Sequence, residues 1–570
     1  MSKIVYIYQR GPVEEHLQED LERICRQLGP DHITPNPPLV YSNDGAAYGI
    51  VNPLGLTLSH NASVLLGSLF ESDAPWSETE TAAPDGNFAI FRADDERLEV
   101  LSDFAGSRTV WYYFDDDQFI ASTSQRAVLM LLDGYEPDER VVPWVLSTGS
   151  LGPECSWDRR IKRLQRDSIL SINKADWTIS CRQNRVRFSA LLLPEEEHEK
   201  RLRDSIYSVF DKLHYDFDNW TLPLSGGFDS RAILCLLKAT GSENSGKLGT
   251  ITWGLRSALG EPDTDASVAK RLAQTLEVAN AYLATDLSDD SPVDVVNRFV
   301  RTGEGCIDHL GGYTDGFRLW KKLFENNVKG IIRGDEGFGW SYSRTELAVR
   351  LSTGSCLCSD YANLRGYSEL TELQQLPEYL FRKEGESLAT WRDRLYHEYR
   401  LPVILAALSD LKLPYVEISN PLLSRKILQQ VWQLPDDLRT DKVLFQRIVR
   451  STGPDIPFAS RSATGNVIDV LSKPPVVELF RETMSSQRAR DRLPRDLLES
   501  LQGRMKSEAG PKTFGLKKTA RKLLPKSVVK YIKKNTPLPV VNPYVLAFRA
   551  YIICKMAETF EEDRARLRER

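Results

Sequence analysis

At 570 residues the chain is too long for one ordinary core and divides into two or three domains, which excludes a single-module binding protein. Hydrophobic residues at 41% and charged residues at 27% are the proportions of a folded globular protein, not of a disordered or fibrous one. The formal charge of -5, from 74 basic and 79 acidic residues, gives no general attraction to phosphate backbones or anionic lipid, so neither nucleic acid nor a membrane is an expected partner.

From residue 1 to about 190 the pattern is short strands and turns, with strands expected over 88–91, 98–101, 110–114 and 119–122. This part reads as an antiparallel β-rich domain. Near Leu191 the character changes: Pro194 and three glutamates open a helix whose apolar positions Leu202, Ile206, Val209, Phe210 and Leu213 recur at helical spacing. The expected domains are therefore 1–190 and 191–570. In the second, 220–224 reads as a strand, 231–240 as a helix and 249–253 as the next strand, a βαβ unit of a parallel sheet. A helix over 265–276 and a strand over 329–332 follow, and the remainder reads mainly helical. The stretch 517–534 carries eight lysines and arginines on what is expected to be a solvated helix face.

The eight cysteines are scattered, and Cys356 with Cys358 is the one close pair, too little for a zinc site, so free thiols are expected. The start lacks an apolar signal core and no run approaches the ~20 apolar residues of a membrane span, so a cytoplasmic location is expected.

Between the strand at 220–224 and the helix after it stands Leu224-Ser225-Gly226-Gly227-Phe228-Asp229-Ser230. Glycines let backbone approach an anion closely, a helix start aims free N–H groups and its positive dipole end at the same place, and Ser225 and Ser230 add hydroxyl donors. Asp229 beside phosphate requires a divalent cation between the two negative charges, so magnesium is implied. This loop resembles the SGGxDS ATP-pyrophosphatase loop of asparagine synthetases and their relatives. Thr252, Trp253 and Gly254 resemble the strand that borders adenine, with the acidic helix start 263–266 after it. Gly334-Asp335-Glu336-Gly337-Phe338-Gly339-Trp340 resembles the DExFGG stretch, and 415–423, 434–435 and 441–444 resemble the later series of that family, over roughly 222–461. The resemblance implies ATP and Mg2+, with Asp229 and Asp335 as metal ligands, Lys442 as the cation on the transition state, and Glu336 and Glu417 beside them as catalytic carboxylates. It implies a carboxylate substrate, activated as an acyl-adenylate, and an amine or ammonia acceptor, with a homodimer allowed.

The N-terminal part resembles the glutaminase domain of the same family through 85–90, 102–108, Tyr112-Tyr113 and Ala121-Ser122. The expected fold class is thus α/β: an N-terminal antiparallel, Ntn-hydrolase-like domain and a C-terminal parallel-sheet ATP-pyrophosphatase domain of the adenine nucleotide α-hydrolase type, with a helical end. Three departures matter. Position two is Ser2, not the cysteine a glutaminase needs as nucleophile, and Cys25 lies too deep to replace it. The loop before Asp335 shows Ile332 and Arg333 where an acid is expected, unless a gap makes Asp335 that acid; Arg333 offers a planar donor fork for a phosphate or carboxylate. Ser419-Asn420 and Ser424 replace the family's Arg-x and Asp, implying a different acceptor site. β-Lactam synthetases and lasso-peptide cyclases are relatives that also lack the catalytic cysteine. The expectation is an AMP- and pyrophosphate-forming amide ligase that does not hydrolyse glutamine, with an ammonia-using asparagine synthetase and a catalytically silent nucleotide-binding regulator as the alternatives.

Overall fold

A computed structural model describes residues 3–11, 16–43, 45–71, 74–240, 245–505 and 538–569. Ser2 and the basic stretch 517–534 lie outside the described residues.

The first unit is a sandwich of two six-stranded sheets, antiparallel throughout. One sheet runs in the order Lys162–Arg163, Trp111–Phe114, Gln118–Ser122, Ile4–Gln9, Ala46–Ile50, Leu39–Ser42. The other runs Thr178–Gln183, Ser168–Asn173, Arg97–Ser102, Gly86–Ala93, Ser63–Leu69, Leu58–His60. Alternation along the strands sends Ile4, Tyr6, Tyr48, Val64, Phe91, Val100 and Leu170 into one apolar layer between the sheets. Tyr6 stacks there on Phe91 with ring centroids 5.4 Å apart. The mixed character of this unit exceeds the expectation of strands and turns alone, because it also holds helices Leu17–Leu28, Gln125–Leu131 and Val141–Thr148. In the first of these Leu17, Leu21, Ile24, Cys25 and Leu28 are buried at helical spacing, and Cys25 packs against Gly49 as a core residue.

The second unit is built on a five-stranded parallel sheet: β1 (Trp220–Pro223), β2 (Gly249–Gly254), β3 (Ala279–Ala284), β4 (Gly330–Ile332) and β5 (Glu417–Ser419), in the spatial order β3-β2-β1-β4-β5. Helix α1 (Phe228–Ala239) follows β1 and α2 (Asp265–Thr275) follows β2. The strand order reverses between β1 and β4, so the loops leaving these two strands part and open a crevice at the carboxyl edge. β5 is a strand in a region whose sequence reads as helical. It is three residues long and buried on all of them, which leaves no alternation to detect.

The two units share one core. The last helix, Pro543–Arg568, packs on Gln125–Leu131 and Val141–Thr148 of the sandwich. Arg126 is held in a fork by Asp563, at 2.6 and 2.8 Å. Lys3, at the start of the first strand, is buried against Glu304 of the second unit, which also accepts from Ser124 Oγ at 2.6 Å. Arg108 of the sandwich forms a buried ion pair with Glu417 of β5. Among the described residues no helix is long and apolar enough to cross a membrane. Removing one partner of a buried pair is costly, so Glu417→Gln is expected to lower stability by about 3–5 kcal/mol, read from urea unfolding midpoints.

Candidate functional site

Three chain segments meet at the crevice between β1 and β4. The first is the turn 224–227 that joins β1 to α1. Leu222 anchors the strand in the core, and Ala232, Ile233, Leu236 and Leu237 anchor the helix. The turn is held by its serines: Ser225 N–H donates to Ser230 Oγ at 3.1 Å, and Gly227 N–H to Ser225 Oγ at 3.2 Å. Gly226 N–H donates to Asp265 Oδ1 at 3.1 Å. The helix cap, Gly227, makes no side-chain hydrogen bond, so no side chain caps the first-turn N–H groups of α1. Asp229 lies in that first turn, where a negative charge favours the helix.

The second segment leaves β4 as Arg333-Gly334-Asp335-Glu336. A Cβ on Gly334 would stand 2.9 Å from Asp229 Cβ and 3.0 Å from its carbonyl carbon, so only glycine lets this backbone lie against the start of α1. Arg333 Nη2 meets Asp335 Oδ1 at 3.0 Å. Ile332 is fully buried in the core, so Asp335, not position 332, is the acid presented to the crevice.

The third segment carries Lys442. Its Nζ lies 3.2 and 3.3 Å from the two oxygens of Asp229 and 2.6 Å from Glu336 Oε1. Asp441 and Lys442 both adopt a left-handed backbone at φ 57°, a conformation costing about 1–3 kcal/mol per residue that its surroundings must impose. Asp441 N–H donates to Trp340 O at 3.0 Å, and Tyr342 N–H donates to Asp441 Oδ1 at 3.2 Å. Beneath them, buried Asp393 takes Arg392 at 2.8 Å and Arg439 at 3.0 Å.

The first two of these segments, with the ends of β2 and α2 and the 463–464 stretch, enclose a cavity of ≈ 300 Å3 lined by Leu224, Ser225, Asp229, Ser230, Thr252, Trp253, Asp265, Arg333, Gly334 and Asp335, with Pro223, Ala463 and Thr464, and Lys442 reaches its edge through Asp229. Burial raises the pKa of Asp229, against the pull of Lys442 and with the help of Asp335. Burial pushes Glu336 up to about 7 despite Lys442 beside it. Burial opposes the charge on Lys442, but Glu336 and Asp229 together hold its pKa above the usual value. Burial also raises Asp265, while the Gly226 N–H draws it back.

Of the residues singled out in the sequence, Gly226, Gly227 and Gly254 shape the cavity without lining it. Gly254 allows Ala463 to cross over β2, where a Cβ would meet the Ala463 oxygen at 2.7 Å. Thr252 spends its hydroxyl on Leu224 O at 2.8 Å. Glu336, 3% exposed, holds Lys442 from behind and accepts Phe338 N–H at 2.6 Å, so it positions the lysine. Glu417 is not brought to the cavity. It opens β5 opposite Gly330, at the end of the sheet away from the glycine turn, and its carboxylate is engaged by Arg108. Ala463 and Thr464 were not signalled by the sequence, because the stretch around them has no motif and reaches the site by backbone pairing with Gly226, Leu255, Asp263 and Asp265. Cys356 and Cys358 are both free and buried.

Among the described residues no three His, Cys, Asp or Glu side chains gather as a metal cage. Magnesium is commonly held by one or two carboxylates together with substrate phosphates, and Asp229 with Asp335 at an uncapped helix start is a donor set of that kind. A larger cavity of ≈ 880 Å3, between 135–142 and 486–494, shares no lining residue with this site.

No family model matches the chain, and no curated protein matches it. Among solved structures, the chain is similar to a glutamine phosphoribosylpyrophosphate amidotransferase from B. subtilis complexed with ADP and GMP, at 13% identity and a TM-score of 0.19, over 51% of this chain and 67% of that one.

Gly334→Ala is expected to lower stability by about 1–3 kcal/mol through the clash with Asp229, measured by urea unfolding. His397 gives a pH test. It is buried, its Nε2 donates to Gly337 O at 2.9 Å, its Nδ1 accepts from Trp432, and burial lowers its pKa to about 3 despite the Gly337 bond. The unfolded chain takes up a proton that the folded one refuses, so stability is intact above the unfolded value of 6.5 and falls as pH drops toward 3. Unfolding midpoints from pH 8 to 4 should fall more steeply for the wild type than for His397→Phe, by at most ~1.4 kcal/mol per pH unit.

Proposed function

We propose that this chain is an asparagine synthetase-like, ATP-dependent ligase that forms AMP and pyrophosphate and joins a carboxylate to an amine or ammonia through an acyl-adenylate. The observation that carries the reading is the convergence, at the strand-order reversal of a parallel sheet, of the SGGxDS turn, Asp335 and Lys442. Negative charge grows on the phosphate and on the leaving pyrophosphate during adenylation, so catalysis there is a matter of prepared cations and N–H donors. Ser225, Ser230 and the start of α1 would bind the phosphates, and Thr252 and Trp253 would border the base. Asp229 and Asp335 would hold magnesium, which supplies charge neutralisation when bound. Lys442 would stabilise the transition state, kept in place by Glu336.

The N-terminal sandwich is read as a glutaminase-type, Ntn-hydrolase-like scaffold put to structural use. Support comes from its two antiparallel sheets and from the burial of Lys3 against Glu304. A second reading, a catalytically silent nucleotide-binding protein, draws on the engagement of Glu417 by Arg108, which leaves no carboxylate from β5 for the amine.

Incubation with ATP, magnesium and a panel of carboxylates and amines is expected to release AMP and pyrophosphate. Release of ADP and phosphate instead, or of nothing with any pair, would refute the ligase reading. In the active pairing, Lys442→Ala is expected to lower kcat by about 10^2–10^3-fold, as for loss of one transition-state donor.

A further inference from the structure

A cavity of ≈ 410 Å3 lies where the two units meet. Its walls come from 26–35, after the first helix of the sandwich, from the end of the helix Pro292–Thr302, from Pro414 ahead of β5, and from the last helix at Arg566. It shares no lining residue with the cavity at β1 and β4. Six of its lining residues are Lys or Arg and one is Asp, in a chain whose overall charge is -5. The carboxylates that hold these cations stand outside the lining: Glu304 holds Lys3, Asp563 holds Arg126, Glu22 holds Arg26 and Asp290 holds Arg298. The concave face therefore presents cations with their partners behind them, and the low-dielectric walls concentrate their field.

Helix ends account for only part of this charge. Arg26, Arg301 and Arg566 lie in the last turns of their helices, where the free carbonyls favour a cation. Lys3 and Arg126 have no such reason: their side chains are 8% and 3% exposed, and Arg126 stands in the first turn of Gln125–Leu131, where the helix dipole disfavours a cation. Compensation inside the cavity is also incomplete. Asp563 is already forked by Arg126, and among the described residues it is the one ion-pair partner of Arg301, at 3.8 Å. Arg298 Nε is buried without a hydrogen-bond partner, 3.7 Å from Asp31 Oδ1. Burial, and then the charge of Arg126, lower the pKa of Arg301. Cations so crowded repel one another, and an anion among them relieves the repulsion.

We infer that this cavity binds a short polyphosphate, free or carried on an organic molecule, with Arg298 and Arg301 on its phosphates and Arg26 and Arg566 at the mouth. The planar fork of arginine suits two oxygens of one phosphate, and several forks around one space suit an anion with several phosphates. The volume falls within the range of small-molecule sites, about 300–1,000 Å3. Because residues of both units line the cavity, a bound anion would also tie the sandwich to the second unit. The inference does not depend on the ligase reading.

Calorimetry on the full chain in EDTA tests it, since without a divalent cation Asp229 and Asp335 repel phosphate at the other cavity. Tripolyphosphate is expected to bind once per chain, at least tenfold more tightly than orthophosphate. Arg301→Gln is expected to weaken it about tenfold, the loss of one charged hydrogen bond. The double variant Arg26→Gln, Arg566→Gln, at two exposed positions, is expected to weaken it about threefold even if Arg301→Gln fails to fold. Lys442→Ala is expected to bind tripolyphosphate as the wild type does. ATP in EDTA distinguishes the sources: binding with the same dependence on these arginines points to an organic carrier, and binding of tripolyphosphate alone to a free polyphosphate. No preference over orthophosphate, affinity unchanged in the arginine variants that fold, or affinity lost in Lys442→Ala overturns the assignment.

Discussion

Where β1 and β4 part, two strand ends have to deliver carboxylates to one place, and the absence of a side chain at Gly334 is what permits it. A methyl group there would strike Asp229 and its carbonyl, and would hold the loop carrying Asp335 away from the start of α1. The close approach then creates an electrostatic demand, because Asp229, Asp335 and Glu336 crowd together in a half-buried space. Lys442 and Arg333 answer part of it, which explains why the lysine is held above its usual pKa although burial opposes its charge.

The lysine is held by layers of support. A left-handed pair at 441 and 442 aims it, the 340–342 segment pins the pair, and Asp393 with its two arginines supports both from within the protein. Asp393 pays for its burial through that double pairing.

The sandwich contributes stiffness to the same region. Asn87 accepts Asn420 N–H at 2.6 Å and Asp85 accepts Arg425 N–H at 2.9 Å, so the chain leaving β5 is seated on strand ends of the first unit. With Arg108 on Glu417, Lys3 on Glu304 and the last helix packed across both units, the parallel sheet is braced from the side away from the cavity.

Much of the site was legible in the residues themselves, because its parts are local: glycines and hydroxyls between a strand and a helix have few other physical uses, and Asp335 follows a buried strand in the same way. Glu417 misled, since a carboxylate in a matching series says nothing about which end of a strand it occupies, and here the parallel register places it opposite Gly330. The helices inside the sandwich were overlooked among stronger strand signals, although 17–28 has a plain helical period. By itself, the sequence determined the strand-rich character of the first unit, the strand–helix–strand opening of the parallel sheet, the glycine turn and the acids beside it, since these follow from backbone freedom and side-chain period over a few residues. Only the tertiary structure decided that Lys442 meets Asp229 across 213 positions and that Ala463 and Thr464 close the cavity. Those facts depend on long-range packing and charge compensation, which no local pattern encodes.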